Sequence, residues 1–126
     1  MKNLILMVCS LFFLNCHSQQ TDNVKKESVA GFKKALEKEI QLVDVRTPSE
    51  FSEGYISYAE NINVMASDFE QKIQKLDKEK PVYIYCRSGQ RSNKAAQKMK
   101  ELGFEEIYDL EGGILAWEKS GENLSK

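Results

Sequence analysis

The chain has 126 residues, of which 41% are hydrophobic and 29% are charged. This length and composition fit one globular domain and exclude a collagen-like, coiled-coil or wholly disordered chain. Lysine and arginine total 18 against 19 acidic residues, which gives a net charge of -1 and a pI of about 5.9. Binding to a phosphate backbone needs a basic excess that this chain lacks, so no nucleic acid is expected as a partner.

The N-terminus has the features of an export signal. Lys2 precedes an apolar run from Leu4 to Leu14 that only Ser10 interrupts. This run is shorter than the roughly 20 residues that a helix needs to cross a bilayer, so it favours a cleaved signal over a membrane span or a buried helix. Residues 1–15 are therefore predicted to be a signal peptide.

The end of this signal resembles the lipobox of bacterial lipoproteins, in which a cysteine becomes the lipidated first residue. Cys16 holds that position, although Asn15 stands where the pattern has Gly, Ala or Ser. The alternative is cleavage by an ordinary signal peptidase after Ser18, with Cys16 at the -3 position. Residues 16–25 are polar and are interpreted as a tether. We expect an extracytoplasmic protein, periplasmic or in the cell envelope, that meets the membrane only through its N-terminal lipid.

One of the three cysteines is alone in the predicted domain, residues 26–126. Cys9 leaves with the signal and Cys16 lies at the chain end, so no disulfide framework is available to Cys86. A single thiol of this kind is either buried and inert or reactive, and its neighbours decide between the two.

Residues 26–126 alternate between helical and strand-like hydrophobic patterns. The predicted elements in chain order are a helix around 29–36, a strand at 40–45, a short helix at 47–54, a strand at 61–64, a helix around 69–76, a strand at 82–85, a helix ending at 103, a strand at 106–110 and a short helix after 113. Thr47, Pro48 and Glu50 supply the N-cap, the first-turn proline and the capping-box glutamate of the second helix. The alternation predicts an α/β fold, with a mainly parallel sheet of four to five strands and helices on both faces.

Ligands of parallel sheets bind where a strand ends and its loop leads into a helix. The strands that end at Val45 and Tyr85 therefore come first in a search for a site. The second of them continues as a hexapeptide, Cys86-Arg87-Ser88-Gly89-Gln90-Arg91, which we name the cysteine loop.

The cysteine loop carries residue types that suit the chemistry of an anionic sulfur. The Cys86 thiolate is a nucleophile, and a helix N-terminus together with nearby guanidinium groups favours that charged form. Backbone N–H groups of a loop that curls at Gly89 form a nest for an anion. Arg87 and Arg91 add donors for an oxyanion such as thiosulfate. These neighbours favour a reactive thiol over a small buried hydrophobe.

The histidine content restricts the possible mechanisms. The only histidine, His17, lies in the predicted tether. A Cys-His catalytic pair and a His-containing metal cluster are thereby excluded from the domain, and no metal or other cofactor is expected.

Three blocks of the sequence resemble a single-domain rhodanese, a sulfurtransferase of the thiosulfate:cyanide type, over residues 24–122. They are Asp44-Val45-Arg46 with Glu50-Phe51 and Gly54-Tyr55-Ile56, then the cysteine loop, then Gly112-Gly113 with Trp117. In this family six-residue loops carry sulfane sulfur, whereas related phosphatases have seven-residue loops that admit phosphate. The loop from Cys86 to Arg91 has six residues, with Ser92 in the seventh place, so the resemblance favours sulfur transfer.

The resemblance implies that the Cys86 thiolate takes the outer sulfur of a donor such as thiosulfate and holds it as a persulfide. N–H groups of residues 87–91 would stabilise the persulfide, and cyanide, a thiol or a thioredoxin-like protein would accept the sulfur. Arg87 would bind the donor, while Arg91 would either do the same or pair with a carboxylate. Asp44 and Arg46 are expected in supporting roles, or in a structural ion-pair network with Glu50.

Four positions depart from the family pattern: Tyr55 replaces a usual histidine, Ser57 and Tyr58 replace Pro-Gly, and Asn63 replaces a proline. They lie outside the cysteine loop. Trp117 is expected in the core.

The alternative functions are a persulfide relay, a partner-binding module without thiosulfate turnover and, less favoured, a phosphatase.

Overall fold

A computed structural model describes residues 23–126 as strands and helices in near-regular alternation. The elements are β1 (Val24–Glu27), α1 (Val29–Ala35), β2 (Gln41–Asp44), α2 (Pro48–Glu53), β3 (Glu60–Asn61), α3 (Phe69–Ile73), β4 (Val82–Tyr85), α4 (Gln90–Glu101), β5 (Ile107–Leu110) and α5 (Gly113–Lys119). The predicted α/β class is confirmed.

All five strands run parallel in one sheet with the order β1-β5-β4-β2-β3. Strand β4 is central: Val82 to Tyr85 pair with β2 on one edge, and Val82 to Ile84 pair with β5 on the other. Because parallel strands end at the same edge of a sheet, the loops after β2 and β4 meet there.

The core has two parts, one on each face of the sheet. Alternate residues of β4 point to opposite faces, as Val82 and Ile84 do on one side and Tyr83 and Tyr85 on the other. The first cluster contains side chains of α3 and α4, and the second contains side chains of α1 and α5. Helices therefore cover both faces, as the alternating pattern predicts.

The main difference from the sequence expectation is strand β1. Val24 and Lys25, assigned to the tether, pair in parallel with Ile107 and Tyr108 of β5. A four-residue edge strand with two exposed lysines has no apolar alternation, so its pairing with a distant strand is not visible in the local pattern.

Two other elements are shorter than expected. Strand β3 has two residues, although hydrogen bonds from Ile62 N to Asp44 O and from Val64 N to Val45 O continue its association with β2. Helix α3 ends at Ile73, three residues before the predicted end.

The predicted signal peptide 1–15, lipidation site Cys16, alternative cleavage site at Ser18, and His17 lie outside the described residues. Residues 23–126 contain no helix that is long and apolar enough to span a membrane.

Candidate active site

Cys86 follows the last residue of β4 and lies at the base of the cysteine loop. Its strand is made of β-branched and aromatic residues, which suit a central position in a sheet buried on both faces. The chain then turns through Gly89, whose φ of 117° favours glycine, and enters α4 at Gln90. The Cys86 side chain is buried, with 1% exposure, and packs with the α4 side of the core.

The Cys86 sulfur has two hydrogen-bond partners on the turn above it. The Gly89 backbone N–H donates to Sγ at 3.0 Å, and the thiol donates to the Ser92 hydroxyl at 3.3 Å. Ser92 in turn donates to the Gly89 carbonyl at 3.2 Å. Ser92 is fully buried. The three residues form a closed ring of hydrogen bonds that holds the sulfur at the N-terminal end of α4.

The start of α5 binds the other side of the cysteine loop. Ile114 N donates to the Cys86 carbonyl at 2.9 Å, and Leu115 N donates to the Arg87 carbonyl at 3.2 Å. Gly113 allows this approach, since a Cβ there would lie 2.6 Å from the Cys86 carbonyl oxygen. The first two carbonyls of the loop, those of Cys86 and Arg87, are therefore satisfied by backbone donors of α5.

Arg91 pairs with a carboxylate, which is one of the two arrangements left open by the sequence. Its guanidinium donates to both oxygens of Glu50, at 2.6 and 2.8 Å. Glu50 also accepts from the Thr47 hydroxyl at 3.0 Å, and Thr47 caps α2 as predicted by accepting from Glu50 N. The hydrogen bonds from Arg91, assisted by Thr47, lower the pKa of Glu50 to about 2. The pair ties the cysteine loop to α2.

Asp44 and Arg46 form a separate buried ion pair at the end of β2. Arg46 Nη2 lies 2.6 Å from the Asp44 carboxylate and 2.7 Å from the Gly54 carbonyl. The guanidinium also lies over the ring of Tyr85, 5.8 Å from its centroid. Burial, with the Asp44 charge, raises the pKa of Tyr85, whose oxygen accepts from Ile56 N. Glu50 pairs with Arg91 instead of joining this network.

The remaining loop residues face outward. Arg87, Ser88 and Gln90 are exposed. A cleft of about 430 Å³ begins at Arg87 and is lined by Arg46, Glu50, Glu53, Gly54, Arg87, Ile114, Leu115, Glu118 and Leu124. A second depression on the other side of the loop is lined by Lys26, Ser88, Gly89, Gln90, Asn93, Glu111 and Gly112.

Sequence reasoning missed two contributors to the site. Ser92 stands six residues after Cys86. Its position on the first turn of the helix that follows the loop could have indicated that its hydroxyl lies near the sulfur. The role of Glu50 toward Arg91 had no local signal, because 41 positions separate the two residues. Among residues 23–126, no group of three or more metal-ligating side chains is placed to hold a metal ion.

The two tyrosines that depart from the family pattern lie in the segment after α2. Tyr55 stacks on Phe51, with ring centroids 4.2 Å apart, and its backbone pairs with Ser125. Tyr58 is 95% exposed and has a φ of 71°. Trp117 is buried in the core, as expected, and donates from Nε1 to the Asn123 carbonyl.

A profile of the rhodanese-like domain matches residues 28–120. The chain belongs to the rhodanese-like family. The putative sulfurtransferase YtwF of Bacillus subtilis is 37% identical over 105 residues, which cover 82% of this chain and 97% of that protein. The thiosulfate sulfurtransferase GlpE of Shewanella oneidensis is 35% identical over 83 residues, 66% of this chain and 80% of that protein.

The same rhodanese-like fold is seen in a solved structure. The crystal structure of a rhodanese-like domain protein from Staphylococcus aureus matches with a TM-score of 0.70 and 31% identity, over 80% of this chain and 96% of that chain. The shared fold includes most of both chains.

Proposed function

We propose that this rhodanese-like protein is a sulfurtransferase that moves sulfane sulfur from thiosulfate, or a similar donor, to a thiophilic acceptor through a persulfide on Cys86. The observation that carries the proposal is the environment of the sulfur. Cys86 Sγ accepts from Gly89 N–H at the head of α4, with exposed Arg87 beside it. The names of GlpE and YtwF support the same reaction class.

The first half-reaction places the donor against Arg87. The guanidinium binds the sulfonate oxygens of thiosulfate, and the Cys86 thiolate attacks the outer sulfur. The bond between the two thiosulfate sulfur atoms breaks, and its electron pair leaves with sulfite. A Cys86 persulfide remains, carrying one negative charge on its outer sulfur.

The second half-reaction returns the enzyme to its starting state. Cyanide or a thiolate attacks the outer sulfur, the persulfide bond breaks, and the electron pair returns to Cys86 Sγ. The Gly89 N–H stabilises the Cys86 thiolate before the first half-reaction and again after the second. The Ser92 hydroxyl can rotate away from the Gly89 carbonyl and donate to the same thiolate. Arg91 acts through Glu50 to hold the loop, which makes it a positioning residue.

A persulfide relay to a protein thiol is the second candidate. Leu115 is a large apolar side chain with 43% exposure on the wall of the cleft beside Arg87. An apolar side chain at the mouth of a site suits contact with a protein such as a thioredoxin-like acceptor. In that case discharge of the persulfide by a reduced thioredoxin-like protein would be faster than discharge by a small neutral thiol at equal thiolate concentration.

Thiocyanate formation from thiosulfate and cyanide tests the proposed reaction. We expect turnover by the wild type and none by Cys86→Ser, which keeps the shape of the side chain without a thiol. Thermal unfolding of both proteins controls for folding. Turnover by the serine variant, or release of phosphate from a phosphomonoester by the wild type without thiocyanate formation, would overturn the assignment.

We also propose that the protein is an envelope lipoprotein anchored through Cys16. The apolar run and lipobox-like end of residues 1–15 support this proposal. Metabolic labelling with an alkyne fatty acid should label the wild type and not Cys16→Ala. A mature N-terminus at residue 19, without label, would instead establish cleavage after Ser18.

A further inference from the structure

The described part of the chain enters the sheet at one edge. Because all five strands are parallel, their first residues share this edge, which we name the N-terminal edge. Val24 is the first residue of β1, and the carbonyl of Asn23 just before it accepts from Ile107 N at 2.8 Å. The segment that precedes Asn23 therefore leaves the domain at the N-terminal edge.

The cysteine loop lies at the opposite edge of the sheet. Val24 is level with Ile107 in the register, and Ile107 is level with Val82. Cys86 follows Val82 by four residues, which is about 13 Å at the rise of a parallel strand. Ser88 is exposed two residues farther along. The mouth of the site therefore lies roughly 20 Å from the level at which the chain enters the sheet.

The segment between the proposed lipid and the domain is short. We name residues 17–22, which separate Cys16 from Asn23, the linker. The path from Cys16 to Asn23 spans about 25 Å when fully extended and averages about 15 Å in a relaxed polar chain. Lipid headgroups occupy a further ~5 Å above the hydrocarbon core and use up part of this reach. A relaxed linker is thus too short to hold the point of entry above a cysteine loop that faces the bilayer.

The loops at the N-terminal edge before β2 and β4 carry no excess of positive charge. Exposed Lys38 and Lys80 stand against exposed Glu39, Asp77 and Glu79. Polybasic segments bind anionic lipid headgroups, and these two loops do not form such a segment. We therefore expect the length of the linker, and not adhesion to lipid, to set the orientation of the domain.

We propose that the anchor holds the N-terminal edge toward the membrane and the cysteine loop toward the aqueous phase, so that the site exchanges sulfur with water-soluble partners and not with thiols embedded in the bilayer. The proposal rests on the proposed Cys16 lipid and, for sulfur exchange, on the proposed Cys86 persulfide. The inverted orientation needs an almost fully extended linker that runs beside β1, which costs conformational entropy at each linker residue.

Discharge of the persulfide on vesicles tests the consequence for function. The lipidated protein is loaded with thiosulfate, freed of excess donor and bound to phosphatidylcholine vesicles. The acceptor is either soluble 2-mercaptoethanol or a phospholipid whose headgroup ends in a thiol. We expect the soluble thiol to discharge the wild type at the same rate with and without vesicles, and the lipid thiol to leave it loaded.

A longer linker should abolish this selectivity. Insertion of about twelve Gly and Ser residues after Asp22 lets the cysteine loop reach the bilayer, so discharge by the lipid thiol should rise at least about tenfold while discharge by the soluble thiol stays unchanged. The matched control replaces residues 18–22 with the same number of Gly and Ser residues, and it should behave like the wild type. Rapid discharge of the wild type by the lipid thiol, no gain with the longer linker, or a gain with the control would overturn the proposal.

A measurement of orientation needs no sulfur transfer. The lipidated protein is placed in nanodiscs that contain a gadolinium-chelating lipid, and the relaxation of its amide protons is recorded by NMR. The enhancement falls with the sixth power of distance, so we expect it to be at least about tenfold larger at Lys80, on the N-terminal edge, than at Ser88. Equal or reversed enhancements would overturn the orientation whether or not Cys86 forms a persulfide.

The same experiment separates failure of this proposal from failure of the proposed function. A protein that does not join the nanodiscs has no lipid at Cys16, and that result overturns both the anchor and the orientation. It leaves the sulfurtransferase assignment standing, because thiocyanate formation by the domain needs no membrane.

Discussion

Ser92 is the residue whose contacts most directly connect the fold to the sulfur chemistry. Its hydroxyl accepts from the Cys86 thiol and donates to Gly89 O, while Asn93 N also donates to that carbonyl. The Gly89 carbonyl therefore keeps a partner if Ser92 is removed. A substitution at Ser92 therefore changes mainly the hydrogen bonding of the Cys86 sulfur.

We predict that Ser92→Ala slows formation of the persulfide from thiosulfate about tenfold. A hydrogen bond to a charged group contributes roughly 1.5–3 kcal/mol, and the variant loses the lower part of this range because Gly89 N–H still binds the sulfur. Stopped-flow release of sulfite measures the rate. Ser67→Ala, at an exposed serine outside the site, is the control. An unchanged rate in a folded Ser92→Ala protein would contradict the role of the hydroxyl.

The Glu50–Arg91 pair predicts an acid dependence of stability. The pKa of Glu50 is lowered from 4.5 to about 2, so the unfolded chain binds more protons between these values and stability falls as the pH falls. Because the pair is partly exposed, we expect a contribution of only about 1 kcal/mol above pH 4.5. Denaturant unfolding should show Glu50→Gln less stable than wild type at pH 6, with the difference narrowing toward pH 2.5. A difference that is constant with pH would contradict this account.

At the scale of the elements, the approach of α5 to the cysteine loop depends on Gly113. We predict that Gly113→Ala destabilises the protein by more than about 2 kcal/mol and strongly reduces sulfur transfer, since the new methyl group displaces the Cys86 and Arg87 carbonyls. Gly121→Ala is a matched control, because Gly121 also has a positive φ but has no atom near its Cβ position. Equal losses of stability and activity in the two variants would contradict this explanation. They would show that the positive φ, and not the close approach of α5 to the cysteine loop, accounts for the effect.

Strand β1 is joined to β5 by a cross-strand ion pair. Lys26 lies opposite Asp109 in the register, and Nζ contacts the carboxylate at 2.6 Å. Asp109 is fully buried, and its Oδ1 has no partner among residues 23–126, whereas Lys26 is half exposed. The buried Asp109 carboxylate is therefore bound through one oxygen, by Lys26.

We predict that Lys26→Met destabilises the domain by about 2 kcal/mol, because it leaves a buried carboxylate without its cation. Adding Asp109→Asn should recover much of that loss, since the amide is easier to bury than an unpaired charge. A double-mutant cycle in denaturant measures the coupling. Strictly additive effects of the two substitutions would contradict the proposed dependence of Asp109 on Lys26.

At the scale of the whole molecule, the features predicted from the sequence are those encoded within a few residues. Thr47 and Pro48 start α2 through local capping, and the apolar strand before Cys86 is recognisable by itself. The features missed are long-range. Val24 in β1 pairs with Ile107, and Glu50 meets Arg91 across 41 positions, so neither contact leaves a local pattern.

The central claim is that Cys86 carries the transferred sulfur, and intact mass spectrometry of the reduced, folded domain after incubation with thiosulfate tests it most directly. We predict a mass increase of one sulfur atom in the wild type, none in Cys86→Ser, and loss of the added mass on treatment with cyanide. An adduct that also forms on Cys86→Ser, or no adduct on a wild-type protein shown to be folded and reduced, would contradict the claim.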